Sequence, residues 1–372
     1  MKFTFTRESM LKGLQRVMGA VPTKMPMPSL GNLHLKLEDN TLDITATDLE
    51  ITVTSRVELL ESEGSGGVLI QAKRFFDLVR ELKDVPLEIE VQEPLKIVIK
   101  GEGTGEYTIP GGDPIDFPEL PPVDAQLTFD IPAEVLKRMV SKTVFAVSHD
   151  DMRPILTGLL VEIRPNELRL VATDGHRLSR ISHVGIDYSG DARDVVVPMK
   201  AFNLLMRTLE DEDNAQIGIA ETRASFSNVQ HRLTTRLIDG TYPRYTSVIP
   251  ENNPNRLIVD AGLLQASVKR VSIFANQISH QVKLTLDSTR MKLESEDPEI
   301  GGRGEEEMPV DYSGESLEIA YNANYLLDVL KHIDTEDAHF ELNGTNDAAV
   351  IRPSSQEENE EQLMLLMPIR LR

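Results

Sequence analysis

The sequence predicts an α+β chain in which one module is used three times, and three observations predict it. Phe117-Pro118, Tyr242-Pro243 and Met367-Pro368 set their prolines 125 residues apart twice, and a bulky residue held extended before proline cannot continue a helix, so each pair marks the same kind of ending. Dividing 372 residues by three gives units of about 124, an ordinary domain size. Within each unit short alternating strands and two amphipathic helices follow one schedule.

In the first unit a strand over 3–5 leads into a helix over 7–20, with Met10, Leu14 and Val17 at helical spacing. Strands over 34–38 and 41–47 follow, turned at Asp39-Asn40, and then a strand running into a second helix over 68–82. The middle unit repeats this over 127–131, 132–143, 160–164, 168–173 and 195–209, with its turn at Pro165-Asn166. The last unit does so over 257–259, 260–274, 282–286, 291–295 and 317–333, turning at Asp287-Ser288 and burying Leu264, Val268 and Val271. Thr47-Asp48 and Thr173-Asp174 stand 126 apart, again one repeat length. The domains expected are 1–120, 127–249 and 256–372. Proline-rich joins at 116–125 and 241–255 predict semi-rigid connectors. Three units held at a fixed angle form an arc, and its unlike ends pair head-to-tail into a ring or a filament.

With 40% hydrophobic and 27% charged residues the chain reads as globular. The absence of cysteine excludes disulfides and thiolate chemistry. No secretory h-region opens the sequence, and the longest apolar run, 363–369, is too short to span a membrane. The expectation is a soluble cytoplasmic protein with no membrane partner.

A net charge of −21 argues at first against nucleic acid as a partner. Its distribution argues the other way. The six expected helices together carry +9, leaving −30 on the remainder. Helices sharing one surface would make that surface electropositive, able to neutralise phosphates without reading sequence, while the acidic remainder repels DNA elsewhere. For any single helix, lysine and arginine as good helix formers on a solvated face explain the charge as well.

The runs ATDGHRL (172–178), RPIL (153–156), YPRY (242–245) and MPIRL (367–371) resemble the beta-subunit family of bacterial DNA polymerase III, the sliding clamps. The similarity spans the whole chain. The resemblance implies three DNA-clamp-fold domains with antiparallel sheets outside and helices lining a ring, two chains joining head-to-tail around double-stranded DNA, and a mechanical role with no catalysis and no cofactor or metal. It implies as partners a second copy, the polymerase III catalytic subunit, a clamp loader, and other polymerases and repair proteins carrying clamp-binding motifs.

Carried over by position, the family's peptide pocket is Leu156, Thr173, Gly175, His176, Arg177, Leu178, Pro243, Val248, Leu365, Met367, Pro368, Ile369, Arg370 and Leu371. Leu, Val, Met and Pro would form an apolar slot, and Arg177 and Arg370 would bond a peptide's polar atoms. DNA contacts fall at Lys24, Arg74, Arg80, Lys200 and Tyr325, to which the charged helices add Lys73 (in 68–82) and Lys137 and Arg138 (in 132–143). A carboxylate at Asp150 would repel phosphate, so no contact is expected of it. Tyr107 and Ile109, on an edge strand, would meet Ile273 and Phe274 of the other chain. Near that seam, residues 300–304 read IGGRG where the family is more acidic.

Two rivals stand beside this reading: a metal-dependent hydrolase using His149-Asp150-Asp151 with Asp174-Gly175-His176, and a plain repeat scaffold that binds peptides but never DNA. The first unit carries Thr47-Asp48 without a histidine, which favours turn-capping carboxylates instead. GEGTGEY (101–107) lacks the features of a phosphate-binding loop. Residues 211–213 and 357–361 read as solvated acidic loops.

Overall fold

The computed structural model describes residues 1–24, 27–103, 105–119, 121–210, 213–299 and 301–371. Thr104, Leu120, Asp211, Glu212 and Ile300, which belong to segments singled out above, lie outside the described residues, as do two residues of the Lys24 loop, Met25 and Pro26. The helices are α1 (Arg7–Met18), α2 (Ala72–Glu81), α3 (Ala133–Ser141), α4 (Met199–Thr208), α5 (Ala261–Val271) and α6 (Ala323–Lys331). Each follows directly on a strand. The strand's last polar residue caps the helix where its side chain is short: Thr6 accepts from the Ser9 amide, Asp260 from Leu263, and Asn322 from Asn324 and Tyr325. As the spacing predicts, α1 buries Met10, Leu14 and Val17, and α5 buries Leu264, Val268 and Val271. The helix expected to reach residue 274 stops at Val271 and tightens into a 3-10 turn, Ser272–Phe274.

All the strand pairings are antiparallel, as each hairpin requires. Asp39 and Asn40 both take positive φ (47° and 62°), the signature of a two-residue turn whose twist matches its strands, with Glu38 opposite Thr41.

The chain divides into two compact units, which do not follow its thirds. One is Met1–Leu136 with Lys200–Leu237; the other is Lys137–Met199 with Ile238–Arg372. The division runs through the middle third because each half of it continues a neighbour's sheet. In the first unit His231–Arg236 pairs with Ile51–Glu58, Leu233 opposite Val53, within a 13-stranded sheet. In the second unit Arg177–Val184 pairs with Glu360–Leu366, Leu178 opposite Leu365, within a nine-stranded sheet. A separate four-stranded sheet ends on the edge strand Arg303–Pro309. Under α5 and α6, Leu264, Val268, Leu326 and Val329 pack with Leu284, Leu293 and Phe340 in an apolar cluster of the second unit. Among the described residues no helix is long and apolar enough to cross a membrane.

Candidate functional site

The Thr-Asp turns come first, because they position the site. Thr173 Oγ1 donates to the Arg177 carbonyl (2.7 Å), and Asp174 Oδ1 accepts the amides of His176 (2.8 Å) and Arg177 (3.0 Å). Thr47 and Asp48 make the same bonds one repeat earlier, to the Ile51 carbonyl and to the amides of Glu50 and Ile51. Asp297 accepts the Glu299 amide in the last repeat, a cap that sequence comparison missed because no threonine precedes it. Asp150 is likewise occupied, accepting from the Met152 amide and Arg153 Nε, which hold its carboxyl below the usual range. Asp150 and Asp174 of the hydrolase constellation are thus turn caps, and among the described residues no group of three His, Asp or Glu side chains could hold a metal ion.

The Thr173–Arg177 turn leads into Leu178 of an apolar cluster in the second unit, where the sequence places the expected peptide slot. Leu178 and Leu365, buried opposite one another, belong to that cluster with Leu160, Val350, Leu363 and Tyr245. Pro243 and His176 are exposed at its rim, with Val248 at 55% and Met367 at 42% exposure. Leu156 is buried beneath, and Gly175, at φ 92°, lets the turn pass close to Arg153. Arg153 is a rim residue that the sequence reading left out. The Met367 amide donates to the His176 carbonyl (2.9 Å), which ties the C-terminal segment to the turn.

Two expectations at the slot need correction. Arg177 is 8% exposed and held within the fold: Nε donates to Asp174 (3.1 Å), Nη1 to Asp328, and its guanidinium lies 4.8 Å from the Tyr325 ring centre and 5.5 Å from that of Phe145. It braces α6 through Asp328 and Tyr325. Ile369, Arg370 and Leu371 leave the slot after Pro368. The Ile369 amide bonds the Ala320 carbonyl (2.7 Å), and the three residues line a separate groove of about 1380 Å³ with Lys283, Glu294 and Arg303. There Arg303, then Lys283 and Lys292, hold the Glu294 carboxyl down to about 2. Tyr325, expected at DNA, instead stacks on His176 (centroids 5.8 Å apart) beside Arg177.

The basic residues divide into two groups. Lys24, Lys73 and Arg74 are exposed and make no ion pair among the described residues. Arg80 is exposed but pairs with Asp77 (3.2 Å) and Glu81 (3.1 Å), and Lys200 pairs with Asp48. Lys137 and Arg138 are half-buried. Arg138 is committed to Glu360 through contacts of 2.6–3.2 Å, which corrects its place among free phosphate-binding side chains. The run at 357–361 is consequently not a solvated loop throughout: Glu360 also meets His183, and Glu361 pairs with Arg180 and Arg352.

At the expected seam, residues 107–110 pair with Lys96–Gly101 on one side, and only Gly111 and Gly112 reach Gly66–Gln71 on the other. Tyr107 is exposed, but Ile109 is 3% exposed, packed opposite Ile97 over its own core, so its backbone edge and not its side chain is available. Ile273 and Phe274 are exposed, Ile273 at 77%.

Comparison with known proteins agrees along the whole length. Residues 1–121 match the model of the N-terminal domain of the DNA polymerase III beta subunit, 130–244 that of the central domain, and 246–370 that of the C-terminal domain. The beta sliding clamps of Pseudomonas aeruginosa and Escherichia coli K12 are 33% and 34% identical, with full coverage of both chains. A P. aeruginosa DnaN sliding clamp crystallised with griselimycin superposes with a TM-score of 0.95 at 33% identity, and a Bacillus subtilis sliding clamp with 0.92 at 29%, each covering both chains completely.

Proposed function

This chain belongs to the DNA polymerase III beta-subunit family, the sliding clamps, and from that premise we propose how it works as a processivity factor in DNA replication. Two copies close head-to-tail into a ring around double-stranded DNA, and the ring keeps a polymerase on its template by topology. The three consecutive domain matches along the full length carry this reading. The domains are 1–120, 127–249 and 256–372.

The ring catalyses nothing and uses no cofactor. It acts in the cytoplasm, where a clamp loader opens it. Lys24, Lys73 and Arg74 supply mobile positive charge to the phosphates, with Arg80, Lys137 and Lys200 adding to the field. Such contacts are independent of sequence and permit sliding. The seam joins the open edge at residues 107–110 to the edge strand Arg303–Pro309 of the other copy, and covers Tyr107, Ile273 and Phe274.

The slot of Leu178, Leu365, Pro243, Val248 and Met367 takes short hydrophobic segments of the polymerase III catalytic subunit, the clamp loader, other polymerases and repair proteins. His176 and Tyr325 provide a flat flank for an aromatic or aliphatic side chain. Griselimycin, bound to the P. aeruginosa sliding clamp, is the ligand with which this slot is to be probed.

Loaded onto nicked circular DNA, the protein should stay bound through a salt wash and be lost once the circle is cut. Equal retention on circular and linear DNA would refute topological binding.

A further inference from the structure

We propose that Tyr245 is a positioning residue for the peptide slot: its hydroxyl, anchored by Glu162 and Arg169, sets the height of Pro243 and Val248 above the Leu178–Leu365 floor. The proposal rests on the reading of the slot given above.

Tyr245 opens a short 3-10 turn, Tyr245–Val248, whose far end is the exposed residue Val248. The backbone hydrogen bonds of residues 243–249 run within the segment: Tyr245 to Pro243, Ser247 to Arg244, Ile249 to Thr246. None of these fixes the segment to the sheet below. The Tyr245 ring does so by joining the buried floor, and its hydroxyl reaches further down, donating to Glu162 Oε2 at 2.6 Å. Arg169 Nη1 donates to the same hydroxyl and to Glu162 Oε2, both at 3.3 Å, while Nη2 holds Glu167 at 2.8 Å. Glu162 and Arg169 stand opposite one another on adjacent strands of the nine-stranded sheet. A rim segment without backbone bonds to the sheet is therefore pinned at one end by a buried, charge-assisted network. Tyr242 and Ile249, which flank the segment, also pack on this cluster, so losing the pin loosens Pro243 and Val248 between them without releasing them, and a ligand must reorder them on binding.

The test is calorimetric titration of the full-length protein with griselimycin. Tyr245→Phe keeps the ring and removes the pin, and should weaken binding about tenfold, chiefly through faster dissociation, the value of one charge-assisted hydrogen bond. Glu162→Ala should weaken binding to the same degree, and Tyr245→Phe should then add nothing in that background. A bystander role in stability would lower the melting temperature of Tyr245→Phe but leave its affinity unchanged, and that result overturns the proposal. Val248→Ala and Met367→Ala separate this failure from failure of the slot itself. If both rim variants bind as tightly as the parent, the slot reading falls. If they weaken binding while Tyr245→Phe does not, only the positioning role falls.

Discussion

Arg177→Ala should loosen α6 and the Thr173–Arg177 turn together, and the size of the effect follows from what the guanidinium touches. Asp174 Oδ1 keeps its two backbone amide donors after truncation, but Oδ2 loses Arg177 Nε and is left buried, at a cost of about 2 kcal/mol. Removing the guanidinium from over Tyr325 and Phe145 adds about 1 kcal/mol. The pair with Asp328 contributes little, because that carboxylate is half exposed. The total of about 3 kcal/mol corresponds to roughly a hundredfold loss of protection in a locally unfolding segment. Amide hydrogen exchange across residues 172–184 and 323–331 reads it directly. Asp328→Asn should change the same amides by less than about tenfold. If Arg177→Ala leaves protection within about threefold of the parent, the brace is not structural, and the expectation that Arg177 serves a ligand returns.

His231 is buried under α1 with neither ring nitrogen hydrogen-bonded among the described residues. Burial, then the charge of Arg16, pulls its pKa from 6.5 to about 4, against opposing pulls from Asp213 and Glu210. A base whose folded pKa is depressed contributes its full stability above pH 6.5 and loses it as pH falls toward 4, up to about 3 kcal/mol. An imidazole midpoint near 6.5 in the folded protein, measured by NMR, would contradict this. Lys73→Glu combined with Arg74→Glu should weaken DNA retention and flatten the logarithmic salt dependence by about 0.9 for each phosphate no longer neutralised, with stability changed by about 0.5 kcal/mol or less. Arg138→Glu should instead destabilise by about 3 kcal/mol, because Glu360 is left buried beside a like charge. Unaltered DNA retention in the double variant would favour a peptide-binding scaffold. Gly304→Ala brings a Cβ to within 2.5 Å of the Phe274 ring and should displace it. Sedimentation should then show weaker self-association, and an unchanged dimer would remove Phe274 from the seam.

The amino-acid sequence by itself determined the threefold repeat, the α+β class and the elements of each repeat, because these rest on local rules. Met10, Leu14 and Val17 fall on one helix face by spacing alone, and Asp39-Asn40 turns by its tolerance of positive φ. The MPIRL ending and the ATDGHRL turn, far apart in sequence, meet where the Met367 amide bonds the His176 carbonyl. Tertiary structure alone decided which charges are free. Arg138 and Arg177 look like any other basic residue in the sequence, yet partners 222 and 151 residues away, Glu360 and Asp328, take them up. It also decided where the compact units lie. Pairing of His231–Arg236 with Ile51–Glu58, and of Arg177–Val184 with Glu360–Leu366, divides the middle third between its neighbours. Helix faces and turns are fixed by residues a few positions apart, whereas strand partners and ion pairs are chosen by the whole chain at once, so only the folded molecule records them.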